Sequence, residues 1–428
     1  MIYILIILLI PVFLLFIMKM DVFSKAIISF FLIEWLLSIT VANIGLYGLN
    51  TPSFKASALM ILNVCFFFVG FNLVKVNQQN QSNSVYYSIS TIVERISHSK
   101  IFLLILFASI IYLFILFQQA KELLLMQSAM ELRGMYFSDE LYGKNYGNLN
   151  YFILNQYDII IRFLFAWKVI NKRDWVTIVM GVFLFLHASL DFGRFSYFLI
   201  LFTIVFVWFI KYKSIKLNIR MLVYTSLGMV LFYLLILYST SIKYDRNTFD
   251  QDNMEDVNVQ FISYFAGPIA AFDYSLSDDY VAKIGGYQYG ALTFAAPVQA
   301  LYDIFYRFGI VIEQPFLNLN ELVQKTNIDI GSKWGTWNAF YTEVIYFYCD
   351  LGVFGVILFS LLFGLMTRTL LRLLYKSRSF YATVLLSDVF IAIALSPIRS
   401  YIFHGPHFVF LLVLYIIAKR TEPRFMKV

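Results

Sequence analysis

Arginines and histidines stand at the ends of apolar runs in this chain, in settings suited to holding an anion. Arg194 closes the short turn Asp191-Phe192-Gly193-Arg194. His187, Asp191 and Arg194 are spaced i, i+4, i+7, one face of a helix if the preceding run continues that far. Two readings fit: an ion pair stabilising a tight helical hairpin, or a cation presented to an anionic ligand. Arg399 lies in Ser396-Pro397-Ile398-Arg399-Ser400-Tyr401-Ile402-Phe403-His404-Gly405-Pro406-His407. Pro397 and Pro406 favour a fixed, non-helical path there. His404 and His407 can exchange a proton near neutral pH or serve as interfacial anchors. Arg133 sits in Glu131-Leu132-Arg133-Gly134, Arg246 follows Lys243-Tyr244-Asp245, and Arg307 sits in Tyr306-Arg307-Phe308-Gly309. Each alone reads as a solvated or interfacial charge. Together on one face they would form a pyrophosphate cradle, because a guanidinium matches two phosphate oxygens at once.

The acids supply candidate bases. Glu343 and Asp350 are i, i+7. Glu343 is expected near the outer end of its span, and Asp350 deeper against a partner helix. Asp158 and Arg162, i, i+4, read as a structural intramembrane pair, and Glu34 stands alone in its span. Asp191, Glu343, His404 and His407 are the candidates to accept a proton. No metal and no cofactor is expected. HxxxH and CxxC spacings are absent, and Asp278-Asp279 and Asp252 to Asp256 read as solvated loop acids. Cys65 and Cys349, far apart in apolar runs, read as packing thiols.

The elements that must position these residues are membrane helices. The chain is 60% hydrophobic, 19% aromatic and only 14% charged, against about 25% charged in soluble domains. Its net charge of +7 is spread over the ends of apolar runs, so it does not point to nucleic acid. Runs near 1–18, 24–42, 56–74, 101–118, 151–168, 174–190, 195–210, 221–239, 341–366, 380–397 and 407–418 have the length of a bilayer crossing. That predicts an all-α polytopic protein of about eleven helices. The run 1–18 lacks a basic n-region and a small-residue cleavage site, so it reads as a retained helix.

Lys168, Lys172 and Arg173, then Lys211 to Arg220, Arg368 to Arg378 and the basic tail fall on one side of that arrangement. The positive-inside rule makes this side cytoplasmic and places the N-terminus outside. The segment 240–340 then becomes an extracytoplasmic loop between helices 1–8 (residues 1–239) and helices 9–11 with a cytoplasmic tail (341–428). Its acids outnumber its bases, and Tyr264, Phe272, Tyr287, Tyr289, Tyr302, Trp334 and Trp337 suggest a folded cap. Its semi-apolar part, 290–312, reads as an interfacial amphipathic helix or a re-entrant segment. No internal repeat is visible.

Ser189-Leu190-Asp191-Phe192-Gly193-Arg194-Phe195-Ser196, and Trp337-Asn338-Ala339-Phe340-Tyr341-Thr342-Glu343 through Asp350-Leu351-Gly352-Val353-Phe354-Gly355, carry a resemblance. With the late outer loop they resemble the bacterial oligosaccharide repeat-unit polymerases, the Wzy or O-antigen polymerase group, and more distantly the O-antigen ligases. The resemblance implies an integral-membrane glycosyltransferase of the plasma (inner) membrane. Its substrates would be undecaprenyl-pyrophosphate-linked oligosaccharides, its product a surface polysaccharide (O-antigen, capsule or exopolysaccharide), and a chain-length regulator a possible partner. Arg194, Arg399, His404, Asp191 and Glu343 would be catalytic. Arg246, Arg133, Arg307, His407, Tyr244, Trp337 and Asn338 would bind substrate. Ligases typically carry a His where Trp337 precedes Asn338, which favours the polymerase branch. A flippase for lipid-linked sugars is the rival from another class.

Overall fold

The computed structural model describes residues 13, 17, 20–75, 81–123, 149–190, 195–212, 233, 234, 237, 248–310, 328–331, 336–337, 341–398 and 405–421. The described residues are almost entirely helical. Helices α1 (Val22–Ile44), α2 (Phe54–Leu73), α3 (Gln81–Ser97) and α4 (Lys100–Leu123) come first. A π-helical turn, Asn150–Leu154, leads into α5 (Asn155–Asn171), followed by α6 (Trp175–Leu190) and α7 (Phe195–Tyr212). The loop segment contributes α8 (Gln251–Ser275), α9 (Asp278–Lys283) and α10 (Ala295–Arg307). Helices α11 (Glu343–Ser377), α12 (Phe380–Leu395) and α13 (Gly405–Arg420) close the chain. Two short antiparallel strands, β1 (Ile328–Asp329) and β2 (Thr336–Trp337), pair Ile328 with Trp337 and Asp329 with Thr336.

Four of these helices, α1 from Phe23, α2, α4 and α11, are long and apolar enough to cross a membrane; α6, α7 from Ser196 and α12 are apolar but shorter. The expected spans 1–18 and 221–239 fall almost wholly outside the described residues. The stretch 75–100, expected as a connection between spans, contains α3. This helix lays Ile89 and Val93 into the core and leaves Tyr87 exposed. Its Tyr86 ring stacks on Trp167 at 5.3 Å, and its Ser88 hydroxyl donates to the Arg378 carbonyl at 3.2 Å.

Contacts sort the connections into two ends. At one, the Ser53 N–H donates to Asp273 at 2.9 Å, the Asn50 N–H donates to the Ile330 carbonyl at 2.7 Å, and Leu49 bridges Gly331. The expected outer segments 43–55 and 240–340 therefore meet. At the other end Arg368 pairs with Asp21 at 3.3 Å and lies over the Phe71 ring.

The long helix α11 departs from its expected form. Leu351 (φ −142°) and Gly352 (φ 62°, ψ −143°) are not helical. The second is a conformation that glycine adopts without the Cβ penalty of other residues. The chain folds back there. A Cβ added at Gly355 would lie 2.0 Å from the Phe347 carbonyl oxygen, and the Phe347 and Phe359 rings meet at 5.6 Å. In a straight helix residues twelve apart are separated by about 18 Å. Lys55 reaches Tyr348, whereas Asn63, two turns further along α2, touches both Glu343 and Ser360. The half-helix 343–350 thus runs against α2, and the limb 353–377 runs with it. The descending limb packs closely on α2: a Cβ at Gly364 would strike the Phe67 carbonyl oxygen at 2.0 Å. Small residues at such crossings let helices approach where lipid supplies no hydrophobic drive between them.

Candidate functional site

Four helices converge on a buried ionic network. In α5, Arg162 is 3% exposed and its Nε stands 2.7 Å from Asp158 Oδ2, one turn earlier. From α6, His187 Nδ1 approaches Asp158 Oδ1 at 3.3 Å, and its Nε2 lies 3.1 Å from Asn150 Oδ1. The His187 ring stacks on Phe183. From α12, Asp388 Oδ1 lies 3.8 Å from Arg162 Nη2. From the first turn of α13, His407 Nε2 is hydrogen-bonded to the other Asp388 oxygen.

The sequence makes this arrangement by spacing and by cost. Asp158 and Arg162 share one face of α5 because they are four apart. A charge facing hydrocarbon is expensive, so each helix turns its ionisable group toward the bundle interior. A carboxylate bound to one ring nitrogen fixes the ring's orientation and tautomer. His407 beside Asp388, and His187 beside Asp158, are two such imidazole–carboxylate pairs.

A second polar group lies where α11 begins. The Glu343 N–H donates to the Ser396 carbonyl at 3.0 Å, and the Trp35 indole N–H donates to the Ser396 hydroxyl at 2.8 Å. The Asn63 amide lies against the Glu343 carboxyl and accepts from the Ser360 hydroxyl at 2.6 Å. Glu343 is 3% exposed, and its Oε1 has no hydrogen-bond partner among the described residues. Both expectations for this pair of acids are corrected. Glu343 does not sit at a solvated outer end, and Asp350 does not meet a partner helix in the depth. The fold-back at 351–352 reverses their order. Asp350 accepts from the Leu292 and Thr293 N–H groups at 3.0 and 2.7 Å, and the Gln288 and Tyr289 N–H groups donate to the Cys349 and Asp350 carbonyls. The loop before α10 is thereby fastened to the end of the half-helix.

Of the residues given catalytic or substrate-binding roles from sequence, only Glu343 and His407 have described side chains. Arg307 closes α10 and Trp337 lies in β2, described as backbone. Arg194, Arg399, His404, Asp191, Arg246, Arg133, Tyr244 and Asn338 lie outside the described residues. Helix α6 is described to Leu190, where His187 meets Asp158, a partner from another helix. Asp388 was missed. Its signal was available: a lone acid inside the apolar run Val384 to Leu395.

A third cluster has the makings of a metal site. Glu94, His98 and Asp174 bring one ligand atom each within 4.8 Å of one another. Lys168 Nζ stands among them, 2.7 Å from Glu94, 2.7 Å from Asp174 and 3.2 Å from His98. The ammonium supplies the positive charge a metal ion would bring, so the cluster reads as a buried-lysine anchor between α3, α5 and α6. Asp174 lies outside the helices. Partial burial works against its ionisation, yet the Lys168 ammonium and the Thr177 N–H and hydroxyl hold its pKa down at about 2.

Comparison with protein-family models, with curated proteins and with solved structures finds no match to this chain.

Proposed function

We propose that this chain is a bacterial inner-membrane glycosyltransferase that polymerises undecaprenyl-pyrophosphate-linked oligosaccharide units into surface polysaccharide. The observation that carries the reading is the embedded Asp158–Arg162–His187–Asp388–His407 network, with the aromatic segment 248–310 packed on the same bundle. Sugar transfer from a lipid diphosphate needs a base for the acceptor hydroxyl and positive charge for the leaving group. His407, held by Asp388, supplies a base, and Glu343 is the alternative. Arg194, Arg246 and Arg399 belong to the proposal as the diphosphate cradle, and their support is the match of guanidinium to phosphate. The membrane body suits a lipid-borne donor, and the exposed Tyr274, Tyr287 and Tyr289 offer faces for sugars. The orientation that puts the cap outside and the C-terminus in the cytoplasm rests on the basic loops.

Purified protein in liposomes, supplied with lipid-linked repeat units, should lengthen them without an ion gradient. Arg194→Ala and Arg399→Ala should each shorten or abolish the polymer at equal protein level; normal polymer from both would remove the cradle. A second reading, a transporter of the same lipid-linked sugars, is favoured by one observation. The broken helix α11 starts with a buried half-helix, a device that transporters use near the bilayer centre. Transbilayer movement without chain growth would decide for it.

A further inference from the structure

Helix α10 has its polarity inside out for a helix of an aqueous cap. Phe294, Val298, Leu301, Phe305 and Phe308 recur at i, i+4, i+7, i+11 and i+14, and all five are exposed. Ala295, Ala296 and Ala300 are buried, and α10 packs on α13. On the helix register, Gln299, Asp303 and Arg307 fall opposite the apolar stripe. In water the five large side chains would turn inward and the polar register outward.

Two further observations say what covers the stripe. Helix α13 also turns large apolar residues outward, Val409, Leu412, Val413 and Ile416, so the apolar surface continues from one helix to the next. The foot of α10 is held at the turn of α11: the Thr293 N–H donates to Asp350, and the next residue, Phe294, packs edge-on against Phe359 of the descending limb at 5.7 Å. The same outward pattern marks α4, a helix of membrane length that exposes Leu104, Phe107, Ile111, Phe114 and Ile115.

We propose that α10 is embedded in the bilayer, with the stripe from Phe294 to Phe308 docked on lipid acyl chains beside α13. The segment 240–340 is then not wholly extramembranous, and it sends a helix into the leaflet next to the helix that carries His407. This inference does not depend on the glycosyltransferase reading.

The test uses the full-length chain in phosphatidylethanolamine–phosphatidylglycerol nanodiscs, with Cys65→Ala and Cys349→Ala removing the native thiols. Val298→Cys, Leu301→Cys and Phe305→Cys are labelled one at a time with an environment-sensitive fluorophore. Ile111→Cys on α4 is the lipid control and Asp252→Cys, exposed at the start of α8, the water control. All three α10 probes should lose emission to doxyl-labelled lipid as Ile111→Cys does, and resist iodide. Quenching by iodide as at Asp252→Cys would overturn the proposal. So would probes shielded from both quenchers in particles that hold two copies, because a second chain would then cover the stripe. The substituted side chains are exposed, so folding is checked by size-exclusion profile, and three positions guard against the loss of one.

Discussion

The network around Arg162 makes a demanding prediction. Arg162→Met removes the guanidinium and leaves Asp158 and Asp388 facing each other's charge inside the bundle. At 2.7 Å the Arg162–Asp158 attraction amounts to about 6 kcal/mol with an effective dielectric near 20. Desolvation of both groups offsets much of it. Removing a single partner of a buried pair still costs about 3–5 kcal/mol, because a charge is left stranded. The expected outcome is a large fall in the unfolding midpoint of the detergent-solubilised protein. Arg162→Met with Asp158→Asn removes both ends of the close pair and leaves Asp388 with His407. It should recover part of the loss, with a coupling energy of about 1–3 kcal/mol. The assay is thermal unfolding of wild type, both single variants and the double variant, with the size-exclusion profile checked for each. A cost below about 1 kcal/mol for Arg162→Met, the level of a surface ion pair, would refute the reading. Strict additivity in the double variant would refute it too.

Other outcomes follow from the same geometry. Asp350→Ala leaves the Leu292 and Thr293 N–H groups without their acceptor, at about 1–3 kcal/mol each; limited proteolysis should then cut within 284–293 far faster than in wild type. Asp174, ionised with its pKa held near 2, lends stability that is complete above the ordinary carboxylate range near 4 and drains away as the pH falls toward 2. A stability profile over that window should show the slope in wild type and not in Asp174→Asn. Gly364→Val places a side chain against the Phe67 backbone and should sharply lower the yield of folded protein, because neither helix can move aside without opening the α2–α11 crossing.

Hydropathy alone made the protein legible as a bundle of membrane helices. Apolar length is a local property, and each helix satisfies its own backbone whatever its neighbours are. The Asp158–Arg162 pair was legible for the same reason, since a spacing of four on one helix needs no tertiary knowledge. Segments 43–55 and 240–340 meet through Ser53 with Asp273 and Asn50 with Ile330, contacts that only the packed structure supplies.

What the tertiary structure decided was pairing and direction. No local pattern ties Arg162 to Asp388, 226 positions later, or sets His407 on that carboxylate. Such partners are chosen by which helices pack side by side. The turn at Leu351 and Gly352 is two residues long and joins two helical limbs. Hydropathy runs through it and Gly352 marks only where a break can fall, so the reversal that buries Glu343 and lets Asp350 hold the cap was found by following the chain in space.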